Sequence, residues 1–203
     1  MANTFSPFGF QDIGRADGAS WIANRRAYQI LYSNSHKLYT GDICVMLSTG
    51  YIDTLSPGTT PPLGIFVGCE YYSASQNKMV QSPFYPGNGD TVTNGIVTAF
   101  VLDDPSLEFL VQTGWSAGSP IPAPQAWVGM NAQYANGTGS SLTGLSGAYL
   151  DVNTTPTTTS TFPFRILSLV GNPPGANGSD ATTAYNYVKV AWNNQFYKQL
   201  TGI

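Results

Sequence analysis

The chain has 203 residues, and its 42% of apolar and 13% of aromatic residues can fill a core without disulfides or metals. Only 9% of the residues are charged, against about 25% in an average domain, and the net charge is −3. This composition excludes nucleic-acid binding as the main role, because neutralising phosphates requires clustered cations and Arg25-Arg26 is the only adjacent Lys/Arg pair.

The sequence predicts no membrane helix, since no apolar run approaches the roughly 18 residues that a span requires. The opening MANTFSPFGF has neither the basic nor the apolar region of a signal peptide, so we expect assembly in the cytoplasm. A surface this poor in charge loses little free energy on burial against a partner, because few ions must be desolvated. We therefore expect a protein that is packed against other subunits, although extracellular or thermally robust β proteins share this composition.

Residues 1–22 are predicted to form an extended N-terminal arm, because their aromatic residues lie among Gly and Pro with no helical or alternating period. Four aromatic side chains of the arm are the candidate contact residues: Phe5, Phe8, Phe10 and Trp21. They either pack on this chain's own β body or insert into a neighbouring subunit. The second alternative is favoured, since aromatic residues at low charge are typical of interface cores.

Residues 23–203 are predicted to form a single β domain, with a possible subdivision near the Pro-rich residues 114–124. Short apolar runs separated by turn residues recur about every 8–12 residues, and no window has helical spacing. The predicted fold is therefore all-β, a β-sandwich or β-barrel with long Gly/Pro/Thr-rich loops. The predicted strands lie at 28–32, 43–47, 51–52, 63–72, 78–84, 96–102, 107–111, 125–131, 164–170 and 187–192.

Two of these strands, 96–102 and 107–111, are predicted to pair as a β-hairpin near the middle of a sheet. Between them lie residues 103–106, Asp-Asp-Pro-Ser, where Pro sets φ and Asp side chains can bond their own backbone. The two glycines in 63–72 predict a bulge or a barrel corner. Residues 187–192 alternate, so one of their faces is expected to be covered.

No catalytic, cofactor or metal site is predicted. Asp103 and Asp104 are expected to shape a turn rather than act as an acid/base pair, because Pro105 follows them. The lone histidine has no nucleophile in a familiar local frame, and the loop carboxylates depart from EF-hand spacing, which leaves calcium as a minor alternative. Cys44 and Cys69 are expected to be buried free thiols, with a disulfide as the alternative.

Nine segments, spread over nearly the whole chain, carry a likeness to known proteins. They are FSPFGF (5–10), DGA (17–19), LYTGD (38–42), PLGIFVGCEY (62–71), AFVLDDP (99–105), VGMN (128–131), PFRIL (163–167), VKVAWNNQ (188–195) and TGI (201–203). With these segments the chain resembles the capsid cement or decoration proteins of tailed bacteriophages. None of the segments is a catalytic or ligand-binding motif, so the likeness is one of general sequence character.

The resemblance implies a structural virion protein, not an enzyme, that binds the outside of a phage capsid and clamps neighbouring capsomers. Its implied partners are the major capsid protein and further copies of itself, with a trimer favoured and a dimer possible. No cofactor, nucleic acid or membrane is implied, and the location is the capsid surface of the virion. The alternative is a tail- or fibre-associated virion protein that binds a receptor or carbohydrate through exposed aromatics such as Tyr71, Tyr72 and Trp115.

Overall fold

The structure is a computed structural model, and it describes residues 2–19, 24–54, 60–153, 156–171 and 182–198. Strands and three short 3-10 helices form all the regular structure of these residues, which confirms the predicted all-β fold. The strands are β1 Gln11–Arg15, β2 Arg26–Ile30, β3 Leu38–Tyr39, β4 Ile43–Met46, β5 Ile52–Asp53, β6 Pro62–Ser73, β7 Lys78–Ser82, β8 Phe84–Tyr85, β9 Val97–Leu102, β10 Leu107–Gly114, β11 Asn131–Ala135, β12 Tyr149–Asp151, β13 Phe164–Leu169 and β14 Tyr187–Trp192. The 3-10 helices are Asn88–Asp90, Gln125–Trp127 and Phe196–Lys198.

Five strands close a β-barrel in the order β10-β12-β11-β13-β14, and β14 returns to the free edge of β10. The β10–β12 pair is parallel, and the other four pairs are antiparallel. β12 covers only the end of one β10 edge, so β1 pairs with the earlier part of that same edge. The barrel core contains a stack in which Phe164 lies between Phe10 and Trp192, with ring centroids 4.4 and 4.6 Å apart.

A second, antiparallel sheet has the order β2-β9-β6-β4-β5, with β7 also paired to β6. The predicted bulge is confirmed, since the β6–β9 register shifts between Phe66 and Gly68 and Gly68 has φ 143°. Cys44 and Cys69 are buried in this sheet's core as free thiols, as predicted. The separate β3–β8 pair is held by stacking of Tyr39 on Phe84, 5.6 Å between centroids.

The predicted β9–β10 hairpin is wrong, because β9 lies between β2 and β6 whereas β10 belongs to the barrel. The turn itself is confirmed: the Ser106 N–H donates to Asp104 Oδ1 at 2.8 Å, and the Leu107 N–H donates to the Asp104 carbonyl at 3.3 Å. Apolar runs like these two indicate buried strands, but they do not say which neighbours cover the strand edges. Residues 103–106 therefore carry the chain from the second sheet into the barrel.

The strand predicted at residues 125–131 is also wrong. Gln125–Trp127 is a 3-10 helix, in which the Trp127 N–H donates to the Pro124 carbonyl at 3.0 Å, and β11 begins only at Asn131. Pro124 has no N–H for a strand ladder, and the buried Trp127 ring fixes this turn against the barrel core. The predicted covered face of β14 is confirmed, with Val188, Val190 and Trp192 buried.

Two buried polar residues tie the sheets together. The Gln195 side-chain amide donates to the Leu63 carbonyl of β6 at 2.6 Å and to the Asp103 carbonyl at 3.1 Å. Asp42, just before β4, accepts hydrogen bonds from the Ser146 hydroxyl at 2.5 Å and from the Tyr39 N–H at 2.7 Å. Burial raises the pKa of Asp42 above its ordinary value, against these two hydrogen bonds, which lower it.

Replacing Asp42 with Asn is expected to favour the folded state increasingly as the pH rises from about 4 to about 7. Because the folded pKa is raised, the contribution of Asp42 is complete below its ordinary pKa of 3.8 and is lost as the pH rises through the folded value. Asn carries no charge, and its amide can still donate to Ser146 and accept from Tyr39. Urea unfolding of both proteins across this pH range measures the difference in unfolding free energy.

Asp90 provides a control of opposite sign, since the hydrogen bond from the Ser73 hydroxyl, 2.7 Å, lowers the pKa of its carboxyl. The contribution of Asp90 to the free energy of unfolding is present above pH 3.8 and is lost as the pH falls. Asp90→Asn should therefore lower that free energy least in acid. A stability difference between Asp42→Asn and the unmodified chain that does not grow with pH would contradict the assignment of Asp42.

Candidate interaction surface

The N-terminal arm lies on this chain's own barrel. Residues 2–10 have no regular secondary structure and lead directly into β1. The Gly9 N–H donates to the Ala148 carbonyl at 3.1 Å, and the Phe10 N–H donates to the Gly41 carbonyl at 3.0 Å. Gly9 has φ 81°, and a Cβ there would lie 2.7 Å from the Cβ of Ser146, so this close passage requires glycine.

Of the predicted contact residues, Phe10 is a core residue. Its side chain is 2% exposed and stacks on Phe164, so no surface remains for a neighbouring subunit, and the predicted contact is corrected. Sequence pattern missed this because Phe10 precedes β1, where no alternation marks an inward face. Phe8 is half-buried with its ring 5.5 Å from that of Tyr187, and Trp21 lies outside the described residues.

Phe5 remains 43% exposed within a group that we call the aromatic patch: Phe5, Trp115, Tyr149 and Tyr185. The Phe5 ring lies 5.3 Å from Tyr149 and 5.1 Å from Tyr185, and Trp115 meets Tyr185 edge-on at 6.3 Å. The patch therefore joins the arm, β12 and two loops into one apolar surface that the chain itself covers only in part.

Gln112, buried on β10, fixes the arm beside the patch. Its side-chain oxygen accepts from the Ser6 N–H at 2.9 Å, and its amide donates to the carbonyls of Thr4 at 2.8 Å and Tyr185 at 3.2 Å. The Asn3 amide also donates to the Ala184 carbonyl at 2.9 Å. Phe5 is thus held in place before any partner arrives, which lowers the entropy lost on binding.

Charge is sparse at the aromatic patch, although Asp151 lies beside it. Its Oδ1 accepts from the Ser116 N–H at 3.3 Å, and its charge adds to burial in raising the pKa of Tyr149. The sequence has no Asp, Glu, Lys or Arg between Glu108 and Asp151, the stretch that supplies Trp115 and Tyr149. Burying such a surface removes few ions from water, so apolar contact is not opposed by desolvation of charge.

Five charged side chains lie together around the turn at residues 103–106: Arg15, Asp17, Arg26, Asp103 and Asp104. Arg15 pairs with both Asp17 and Asp104, and its hydrogen bond lowers the pKa of Asp17 to about 2. Asp103 accepts from the Tyr28 hydroxyl at 2.5 Å and lies 3.3 Å from Arg26. The two carboxylates face different partners, which agrees with a structural turn rather than an acid/base pair.

The aromatic residues suggested for carbohydrate binding do not form one platform. Tyr71 is buried with its ring edge-on to Tyr85, 6.2 Å away, and the Tyr72 hydroxyl donates to Asn77 at 2.7 Å. Trp115 lies on the barrel, in the aromatic patch. A platform of stacked sugar contacts requires exposed rings side by side, and these three rings are separated.

The lone histidine of the sequence pairs with a carboxylate. His36 Nδ1 lies 2.8 Å from Asp53 Oδ2, and the Asn34 amide donates to Asp53 Oδ1 at 2.9 Å. The Asn34 carbonyl accepts from the Tyr85 hydroxyl at 3.2 Å. Within the described ranges, no group of three His, Cys, Asp or Glu side chains could hold a metal ion. The helices among these residues are too short to cross a membrane.

No protein-family model, curated protein or solved structure matches this chain. The partly exposed aromatic patch is therefore the feature of the molecule that bears on function.

Proposed function

We propose that the protein is a capsid cement or decoration protein, a structural virion protein that binds the outside of a phage capsid and stabilises it by clamping neighbouring capsomers. The observation that carries the proposal is the aromatic patch, where Phe5 is 43% exposed on a closed barrel and packs against Tyr149 and Tyr185. The resemblance of the nine sequence segments supports the same class. The proposed partners are the major capsid protein and further copies of this chain, with a trimer favoured.

A clamp on a shell requires a rigid body and many repeated contacts. A clamp must transmit load without deforming, and a closed barrel has no free edge among its five strands at which to unravel. An interface contributes to the free energy of binding only the part that exceeds the cost of lost translational, rotational and side-chain freedom. Many copies around one shell multiply a modest contact, so a single partly exposed aromatic surface per copy is sufficient.

Phe5→Ser is expected to weaken shell binding by roughly 30-fold, the effect of losing an interface residue worth about 2 kcal/mol. The folding stability of the Phe5→Ser protein should change little, because the Phe5 ring is already partly in water. The measurement mixes purified protein with empty, expanded heads of the major capsid protein of the same phage and counts bound copies by quantitative mass spectrometry. Met79→Ser, at a β7 residue that is 53% exposed and outside the patch, is the matched control.

Equal decoration by the two variants would rule out the patch as the attachment surface. Failure of the unmodified protein to bind heads would overturn the function itself. Hundreds of copies in a purified virion support cement, whereas a few dozen would favour the tail or fibre alternative. Removing residues 2–20 is a poor test, because that deletion also removes Phe10 from the core and β1 from the sheet.

A further inference from the structure

A cleft of about 380 Å³ lies beside the turn at residues 103–106. It forms where three separate parts of the chain meet: the residues that lead into β2, the turn itself and the last 3-10 helix. Its volume falls within the roughly 300–1,000 Å³ of small-molecule sites. The lining residues are Asn24, Arg26, Asp103, Asp104, Pro105 and Tyr197.

Asp103 brings an unused hydrogen-bond acceptor to the lining of this cleft. Its side chain is only 5% exposed, and its Oδ2 accepts from the Tyr28 hydroxyl and lies 3.3 Å from Arg26 Nη1. Within the described ranges, no N–H or O–H group donates to the second oxygen, Oδ1. A largely buried carboxylate oxygen without a donor costs free energy, so a hydroxyl that enters the cleft and donates to Oδ1 is stabilised.

Arg26 places donors next to this acceptor. Its side chain is 63% exposed, and its Nη1 donates to the Tyr197 hydroxyl at 3.2 Å as well as facing Asp103. Its Nε and Nη2 have no acceptor in the part of the chain that the structure describes. A hydroxyl both donates and accepts, so two neighbouring hydroxyls of one ligand can serve the carboxylate and the guanidinium together.

The polar groups of the cleft are held in position by the fold. The Gln195 amide donates to the Asp103 carbonyl at 3.1 Å, and its side-chain oxygen accepts from the Tyr197 N–H at 2.9 Å. The Tyr28 and Tyr197 hydroxyls lie 2.9 Å apart, and the Arg26 guanidinium lies over the Tyr197 ring, 5.4 Å from its centroid. Groups that are already ordered lose little conformational entropy when a ligand binds.

The charges around the cleft offset one another, and this balance favours a neutral ligand. Arg26 pairs with Asp103, and Arg15 pairs with Asp104. A bare cation or anion would be attracted by one member of each pair and repelled by the other. A neutral ligand with several hydroxyls meets no such opposition, and the ring of Tyr197, a residue that is 46% exposed, offers an apolar wall to its C–H groups.

We propose that this cleft binds a neutral saccharide, with two adjacent hydroxyls of one sugar bridging Asp103 and Arg26. One hydroxyl donates to Asp103 Oδ1, and its neighbour accepts from the N–H groups of Arg26 that have no acceptor among the described residues. The site differs from the one that the sequence suggested for carbohydrate, since Tyr71, Tyr72 and Trp115 do not line it.

The test is saturation-transfer NMR of the full chain with glucose, galactose and mannose, followed by an array of immobilised neutral oligosaccharides. Arg26→Gln removes the charged donors from an exposed side chain. It should raise the dissociation constant of the best ligand roughly 10- to 100-fold, the range for losing a hydrogen bond to a charged group. Arg25→Gln is the matched control, because the adjacent Arg25 lines a different cleft and should leave binding unchanged.

Asp103→Asn should weaken binding in the same way as Arg26→Gln, and urea unfolding checks that each variant folds. Binding to the array alone supports the site with a longer glycan as ligand, and binding of the free sugars as well supports a single ring. Absence of binding to every sugar and glycan tested would overturn the inference. So would equal binding by the Arg25→Gln and Arg26→Gln proteins, or tighter binding of glucuronic acid or glycine, which carry charge. No capsid is needed, so such a failure leaves the proposed shell binding untouched.

Discussion

Replacing Phe10 with Ala is expected to lower the free energy of unfolding by about 3–5 kcal/mol, the range for removing a buried aromatic ring from a packed core. Phe10 stacks on Phe164 and meets Phe109 edge-on, with ring centroids 6.4 Å apart in the second contact. The surrounding strands belong to a closed barrel and cannot collapse freely into the cavity, which places the loss toward the upper part of the range. Urea unfolding of the variant measures it.

Protein concentration separates this prediction from the alternative that Phe10 contacts a neighbour. A core residue destabilises each chain by the same amount at every concentration, whereas an interface residue acts through mass action and its effect changes with concentration. Phe5→Ala, in the same arm but partly exposed, is the matched control and should cost far less. A Phe10→Ala loss below about 1 kcal/mol, outside the range for buried aromatics, would show that the ring is not part of the core.

Gln195→Ala is expected to produce the second largest loss, because it leaves the Leu63 and Asp103 carbonyls without their donor. A buried acceptor without a partner costs about 1–3 kcal/mol, so the two together exceed the effect of a typical substitution. The side-chain oxygen of Gln195 also accepts from the Tyr197 N–H at 2.9 Å, which orders the last 3-10 helix. Thermal unfolding measures the loss of stability, and hydrogen exchange at the Tyr197 amide and its neighbours shows where the structure loosens.

Gln195→Met keeps most of the volume and removes only the hydrogen bonds, so it separates their contribution from that of the cavity. Asn194→Ala is the control, since the Asn194 amide donates to the Thr161 carbonyl at 3.0 Å at the surface. Exposed substitutions of this kind stay within about 0.5 kcal/mol. If Gln195→Met were as stable as the unmodified chain, the two carbonyls would have another source of donors.

The turn at residues 103–106 and the aromatic patch differ in what burial against a partner would cost. Around residues 103–106, Arg15 and Arg26 neutralise Asp104 and Asp103, so removing this region from water would desolvate several ions. The four rings of the aromatic patch carry no charge, and Asp151 is a single carboxylate beside them. Binding through the patch should consequently depend less on salt than binding through the turn, because screening acts on charges and not on apolar contact.

Local pattern was enough to place most of the strands. The alternation of residues 187–192 predicted which face of β14 is covered, and the glycines of 63–72 predicted the bulge in β6. Both signals are local, since side chains alternate with a period of two and a bulge needs only a backbone that tolerates unusual dihedrals. The absence of helical spacing likewise predicted the all-β class.

The chain's composition and local spacing thus determined a charge-poor, all-β protein with identifiable strands and turns. Only the tertiary structure decided that β9 and β10 belong to different sheets, that Phe10 completes the barrel core, and that Phe5 stays partly exposed. The reason is that a residue's neighbours along the chain set its backbone conformation and the face it presents. Which distant strand covers that face depends on how the barrel closes.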